Sequence, residues 1–208
     1  MTLTHFAIIA VCAYLLGSLS FAIIVSKVTL GKDIRNYGSG NAGLTNAYRT
    51  MGAKKTLFVL LGDIAKGAAA VSVGWALGGP VGKLTAGIFV ILGHMFPLYF
   101  GFKGGKGVLV AGGTILAIQP VLIPFLAVIF LACLLPMGMV SLGSVTMAAL
   151  YPVLTILYGV FRGYSAADLT VCAIGSVIMG AMVIYMHRSN IQRIREGKEY
   201  RFGRHGKK

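Results

Sequence analysis

The chain has 208 residues, of which 57% are hydrophobic and only 12% charged, and its mean hydropathy is +0.83. Soluble globular domains carry about 25% charged residues, so a soluble core is excluded and an integral membrane protein is indicated. The net charge of +14 lies in short segments between apolar runs, where the positive-inside effect places Lys and Arg, so it does not point to nucleic acid.

At about 20 residues per membrane span, the length is nearly used up by spans, and one domain over residues 1–208 is expected. Cys12, Cys133 and Cys172 each stand alone inside an apolar run and read as small buried hydrophobes, with no spacing for a metal site or a disulfide framework.

The first apolar run, Phe6 to Val28, has no basic start and is followed by Lys27, Lys32 and Arg35. That polarity is opposite to a cleaved signal peptide, so a retained helix with its N-terminus outside is expected. A polar segment follows over 29–55. Within it, residues 33–49 gather Ser39, Thr45, Asn36, Asn41, Asn46, Arg35 and Arg49 around Gly38, Gly40 and Gly43, the outline of an anion site.

The second run, Thr56 to Leu77, carries Asp63 and Lys66 on one helix face, read first as a structural ion pair, with a ligand role as the alternative. Gly78-Gly79-Pro80-Val81-Gly82 is a tight turn. The third run, Leu84 to Phe102, contains His94, which reads as an interhelical hydrogen-bond partner rather than a catalyst.

Next comes Gly101-Phe102-Lys103-Gly104-Gly105-Lys106-Gly107. It is not a Walker A loop, because Gly107 stands where a magnesium-binding hydroxyl would be needed. Glycines still expose backbone N–H groups to an anion, and the following run offers a helix N-terminus, so phosphate binding is favoured over a plain turn.

Residues 107–135 are apolar but interrupted by Gln119-Pro120. Two passes place the basic segments 31–55 and 187–198 on the same side, as the positive-inside rule requires. Met137 to Val160 is the sixth run, with Ser141 and Ser144 either back-bonding within their helix or facing a cleft. Leu169 to Met186 is the seventh, ending at His187 and a basic tail. The expected fold is therefore all-α with seven transmembrane helices, N-terminus outside and C-terminus cytoplasmic, leaving Lys83 and Arg162 as the basic residues on the outer side.

This topology puts 31–55, 101–107 and 187–198 on one face and pools Ser39, Asn41, Thr45, Asn46, Arg49, Lys106, His187 and Asn190, a set suited to phosphates. The only carboxylates are Asp33, Asp63, Asp168, Glu196 and Glu199, so a paired-carboxylate hydrolase or a divalent-metal site is not expected.

Four blocks carry a family resemblance: Gly31-Lys32-Asp33-Ile34-Arg35-Asn36-Tyr37-Gly38-Ser39-Gly40-Asn41-Ala42-Gly43-Leu44-Thr45-Asn46, Leu61-Gly62-Asp63-Ile64-Ala65-Lys66-Gly67, Gly93-His94-Met95-Phe96-Pro97 through Gly107, and His187-Arg188-Ser189-Asn190-Ile191-Gln192-Arg193. Together, in this order, they resemble the bacterial acyl-phosphate:glycerol-3-phosphate acyltransferases of the PlsY type.

The resemblance implies an inner-membrane enzyme of phospholipid synthesis that moves a fatty acyl group from acyl phosphate to the 1-hydroxyl of sn-glycerol 3-phosphate, giving lysophosphatidic acid and phosphate. It implies neither cofactor nor metal, and an active site on the cytoplasmic face. Carried over by position, catalytic roles fall on Ser39, Arg49, Lys106, His187 and Asn190. Substrate-binding roles fall on Asn41, Thr45, Asn46, Gly104, Gly105, Gly107 and Ser144, with Asp63, Lys66 and His94 secondary. A soluble acyl-phosphate-producing enzyme as a transient partner on the basic tail is left open.

Leu44 and the Leu109-Val110 pair replace smaller residues usual in the family, which bears on pocket shape and acyl preference. An acyl phosphate is already activated, so its transfer needs positioning and charge stabilisation more than a nucleophile. No Gly-x-Ser-x-Gly elbow is present, and Gln192 and Tyr99 stand where a His-x4-Asp pattern would need Asp after His187 and His94. A covalent acyl-enzyme is disfavoured. The rival reading, a transporter for a phosphorylated anion, predicts an internal repeat and polar groups at mid-membrane. No convincing repeat is found, and the polar groups cluster at one end.

Overall fold

The structure, a computed structural model, describes residues 1–202, so the end of the basic tail lies outside the described residues. Every regular element among them is helical: α1 Leu3–Gly17, α2 Phe21–Leu30, α3 Leu44–Met95, α4 Val108–Ile118, α5 Leu122–Met137, α6 Val140–Phe161, α7 Ala166–Met186 and α8 Arg188–Arg195, with short 3-10 turns at Ile34–Asn36 and Leu98–Phe100. The chain divides into two compact units, Met1–Pro120 and a second that begins at Val121. The division falls at the Gln119-Pro120 break.

By length and composition, four stretches can cross a membrane: Leu3–Leu30, Leu44–Phe100, Val140–Phe161 and Ala166–Met186. The second has 57 residues. As one straight helix it would run about 85 Å, nearly three times the ~30 Å hydrocarbon thickness. Gly79 resolves this, since its φ of 57° and ψ of −143° break α3 at the expected turn. Gly74 then packs on the backbone of Gly82, so the two arms run back along each other. The 11 residues of α4 and 16 of α5 span only about 16 and 24 Å, each short of the ~30 Å hydrocarbon thickness.

Lipid tails are as apolar as the side chains, so helices in this setting associate through close packing of small residues. In the first unit Gly17 lies against the Val90 backbone, Gly93 against the Tyr14 carbonyl, and Gly67 and Gly113 close the α3–α4 contact. In the second, Gly143 meets Phe130 and Gly180 meets the Ala148 carbonyl. A methyl group at any of these positions would collide with its neighbour. The large outward side chains, such as Phe58, Leu61, Trp75, Leu135 and Phe161, are apolar.

Three features depart from the sequence reading. The first run is not one helix over Phe6–Val28 but breaks at Ser18-Leu19-Ser20. Helix α3 begins at Leu44, inside the segment read as polar connection, and is itself broken at Gly52, whose φ is 74°. Cys12 is exposed and Cys133 and Cys172 are only half-buried; an apolar surrounding removes the drive that buries a thiol in soluble proteins.

Candidate active site

The site is built from loops at the ends of helices. Gly31, in the left-handed region, ends α2, and the Ser26 hydroxyl donates to the Lys32 carbonyl at 2.6 Å, turning the chain into the 33–43 loop. Beneath the loop lie Ala22, Ile23, Ile34, Ala42, Ala47 and Val59, all fully buried.

Asn46, 2% exposed, holds the loop together. Its Nδ2 donates to the carbonyls of Ile34 (3.2 Å), Tyr37 (3.0 Å) and Asn41 (3.0 Å), and its Oδ1 accepts the Ser39 N–H at 2.8 Å. Its amide is thus committed to shaping the loop, and Gly38 leaves it the room, because a Cβ there would collide with Oδ1. Ser39 is exposed on the resulting turn, and Asn41 and Thr45 are half-buried. Arg49 stands one helical turn beyond Thr45, exposed, on the same side of α3.

The glycine loop folds onto this turn within the first unit. The Gly104 and Gly105 N–H groups donate to the carbonyls of Met95 (3.1 Å) and His94 (3.2 Å). A Cβ on Gly105 would meet the His94 ring and the Ala42 carbonyl, so only glycine brings the loop so close to the 41–43 segment. Lys106 follows, half-buried between buried Gly105 and Gly107. Gly107, φ 81°, is the N-cap of α4, and Gly43 is the N-cap of α3. Neither helix start has a side-chain cap. Two N-termini with their unsatisfied N–H groups and positive dipole ends therefore lie near the Ser39 turn and Lys106.

Asp63, Lys66 and His94 form one buried cluster. Lys66 Nζ lies 2.9 Å from Asp63 Oδ1, 3.1 Å from His94 Nδ1, and 3.1 and 2.7 Å from the Gly17 and Leu19 carbonyls. An ammonium has three donors and no acceptor, so His94 Nδ1 accepts and its proton sits on Nε2. The cluster places a cation at the C-terminal end of α1 and ties its break to α3. Asp63 and Lys66 pair as their spacing in the sequence allows, and the contact extends to His94.

In the second unit, His187 is the C-cap of α7 and is 3% exposed. Its Nδ1 lies 2.8 Å from the Val183 carbonyl. A carbonyl only accepts, so Nδ1 carries the proton and the neutral ring has its lone pair on Nε2. The Asn190 Nδ2 donates to Glu199 Oε1 at 2.6 Å, the Ser141 hydroxyl donates to the same oxygen at 2.7 Å, and Arg193 Nε donates to Oε2 at 2.8 Å. Burial pushes the Glu199 carboxyl up, but the hydrogen bonds from Ser141, Asn190 and Arg193 and the Arg193 charge outweigh it and leave the group below its ordinary value. The Ser144 hydroxyl donates to the Val140 carbonyl at 2.9 Å, the back-bonding alternative.

The sequence reading missed two residues. Glu199 was counted only among the scarce carboxylates, although it orders the start of α8 through Asn190. Arg35 figured only among the charges after the first run and in the anion-site outline, yet it bridges the two loops of the first unit. Among the described residues no group of three His, Cys, Asp or Glu side chains is placed to hold a metal ion.

The chain is similar to known proteins along nearly its whole length. A family model described as Glycerol-3-phosphate acyltransferase matches residues 7–197. The glycerol-3-phosphate acyltransferase of Syntrophomonas wolfei is 38% identical over 193 residues, 93% of this chain and 95% of the relative. That of Bacillus subtilis is 39% identical over 188 residues, 90% of this chain and 93% of the relative.

Among solved structures, PlsY, an integral membrane glycerol 3-phosphate acyltransferase, is similar in its glycerol 3-phosphate form with a TM-score of 0.82 at 36% identity, covering 95% of this chain and 96% of that one. Its lysophosphatidic acid form gives 0.81 at 34% identity and covers 95% of both chains. With the family model spanning nearly the whole chain and close relatives covered almost end to end, this all-helical integral membrane chain belongs to the glycerol-3-phosphate acyltransferase family.

Proposed function

We propose that the protein transfers a fatty acyl group from acyl phosphate to the 1-hydroxyl of sn-glycerol 3-phosphate, giving lysophosphatidic acid and phosphate for phospholipid synthesis. The observation that carries the mechanism is the packing of Gly105 against Ala42 and His94, which brings the Lys106 loop to the Ser39 turn with two uncapped helix starts beside them. The N–H groups of the two helix starts, Lys106 and Arg49 hold the phosphates, and Ser39, Asn41 and Thr45 supply the polar edge of that cradle, while the Gly104 and Gly105 N–H groups are committed to the Met95 and His94 carbonyls and shape the loop.

The acceptor hydroxyl attacks the acyl carbonyl carbon, the bond from that carbon to the phosphate oxygen breaks, and phosphate leaves with the electron pair. The acceptor proton goes to His187 Nε2 or to a phosphate oxygen. On the family resemblance His187 and Asn190 serve this same reaction, with Glu199 fixing Asn190. Asn46 and Ser144 act by shaping backbone, since their polar atoms are engaged there.

The protein crosses a bacterial cell membrane seven times, with α1 and α2 as one pass, α3 as two and α4 to α7 as one each. The N-terminus is outside and the site faces the cytoplasm, a reading supported by the concentration of Lys and Arg in 31–55, 101–107 and after 186.

Direct transfer is tested by incubating the protein with acyl-labelled acyl phosphate and no acceptor, then denaturing it. No label should remain on the chain, and a stoichiometric acyl-enzyme would overturn the scheme. His187→Asn separates base from positioner: as the base it should lower kcat by about 100-fold or more and flatten the acidic limb of the pH profile. A variant that keeps most of its maximal rate assigns His187 to positioning.

A further inference from the structure

Arg35 makes contacts that no step above uses. Its Nε and Nη2 donate to Asp33 Oδ1 (3.0 Å) and Oδ2 (2.8 Å), a two-pronged pair, and Asp33 also accepts the Arg35 backbone N–H at 3.0 Å. The remaining prong, Nη1, donates to the Phe100 carbonyl at 2.6 Å and the Lys103 carbonyl at 3.1 Å. These carbonyls frame Phe102, the only non-glycine residue with positive φ (58°) among the described residues, and the turn leads three residues later to Lys106.

A planar guanidinium fixed on one edge by a carboxylate presents its other edge in a set direction, which a lysine cannot do. The Arg35 guanidinium beside it holds the Asp33 carboxyl below its ordinary value, so the pair stays ionised at working pH.

We propose that Arg35, held by Asp33, is a positioning residue: it latches the 98–103 turn to the 33–37 turn and so sets the register of the Lys106 loop against the Ser39 loop. The inference rests on the phosphate-cradle reading above. Gly101, Gly104, Gly105 and Gly107 give the loop little stiffness of its own, and Phe102 sits in a conformation that needs support from outside. Arg35 touches neither substrate; it determines where Lys106 stands.

Glycerol 3-phosphate is a small soluble dianion and depends on the cradle for all its affinity. Acyl phosphate is also retained by its chain in the membrane. Loosening the latch is therefore read first in the KM for glycerol 3-phosphate.

The test is steady-state kinetics on the purified full chain in detergent, with thermal unfolding followed in the same preparations. Arg35→Gln should raise the KM for glycerol 3-phosphate by about 10-fold or more, with the KM for acyl phosphate within about two-fold and the unfolding midpoint unchanged. Arg35→Lys should restore less than half of the loss, because one ammonium cannot serve two carboxylate oxygens and two carbonyls. Asp33→Asn, a milder change, should move the same constant by about three-fold.

A wild-type KM in both Arg35→Gln and Asp33→Asn overturns the proposal. So does a parallel fall of kcat, both affinities and the unfolding midpoint, which marks general damage. Lys106→Ala measured alongside distinguishes the levels: if it is active, the cradle reading itself fails, whereas an inactive Lys106→Ala with a normal Arg35→Gln removes only the latch.

Discussion

Lys106→Ala is expected to abolish acyl transfer, a loss on the order of 10³-fold or more in kcat/KM, about 4 kcal/mol of transition-state stabilisation. Helix starts supply only partial charges, roughly half an elementary charge per helix, against substrates that each carry a phosphate. A full positive charge beside them is needed as the leaving phosphate develops its own. Lys106 is the cation fixed between two buried glycines, and Arg49 stands on an exposed helix face.

Lys106→Arg keeps the charge but forces a broad planar group between Gly105 and Gly107. It should recover a minor part of the rate. Initial rates of phosphate release at saturating and sub-saturating substrate decide the matter, and a fully active Lys106→Ala would remove the cradle from the mechanism.

The second large effect falls on stability. Asp63→Ala leaves the Lys66 ammonium 3% exposed with two carbonyls and a neutral imidazole but no counter-charge. Removing one partner of a buried pair costs about 3–5 kcal/mol. For a chain of this size that is a fall of roughly 6–20 °C in the unfolding midpoint.

The double change Asp63→Leu with Lys66→Met removes the stranded charge and should cost less than the sum of the single changes. It will not be neutral, because the Gly17 and Leu19 carbonyls then lose their donor. Detergent-solubilised unfolding curves for the single and double variants check this. A wild-type midpoint for Asp63→Ala would mean the cluster carries no structural load.

What could be read from the sequence depended on how local the cause was. The break at Gln119-Pro120 and the reversal at Gly79 follow from proline and glycine chemistry within a few residues, and both occur where the composition placed them. The break at Ser18-Leu19-Ser20 has no glycine or proline in it. Its cause lies 47 to 49 residues away, in Lys66 binding the carbonyls of Gly17 and Leu19, and a single sequence does not show that pairing.

Helix α8 was missed for a related reason. Eight residues of which six are polar or basic look like a solvated tail, and it is the bond from Asn190 to Glu199 that ties the segment down.

The site was legible as chemistry and less so as division of labour. Hydroxyls, amides, glycines and cations marked two loops that the first unit packs together, but residue type did not separate groups open to a ligand from groups holding the backbone. Asn46 and Asn41 are the same side chain five residues apart. One is spent on four backbone partners, while the other is half-buried beside the start of α3. Residue type likewise did not reveal that the Arg35 fork is filled by Asp33 and two carbonyls.

The central claim is direct acyl transfer between two phosphate-bearing substrates by this chain alone. The most direct measurement supplies the purified protein in detergent with acyl phosphate and glycerol 3-phosphate and follows both products. The account predicts lysophosphatidic acid and inorganic phosphate in equal amounts, from acyl phosphate and not from a thioester donor. Absence of lysophosphatidic acid, or the same product formed from acyl-CoA at equal rate, would contradict it.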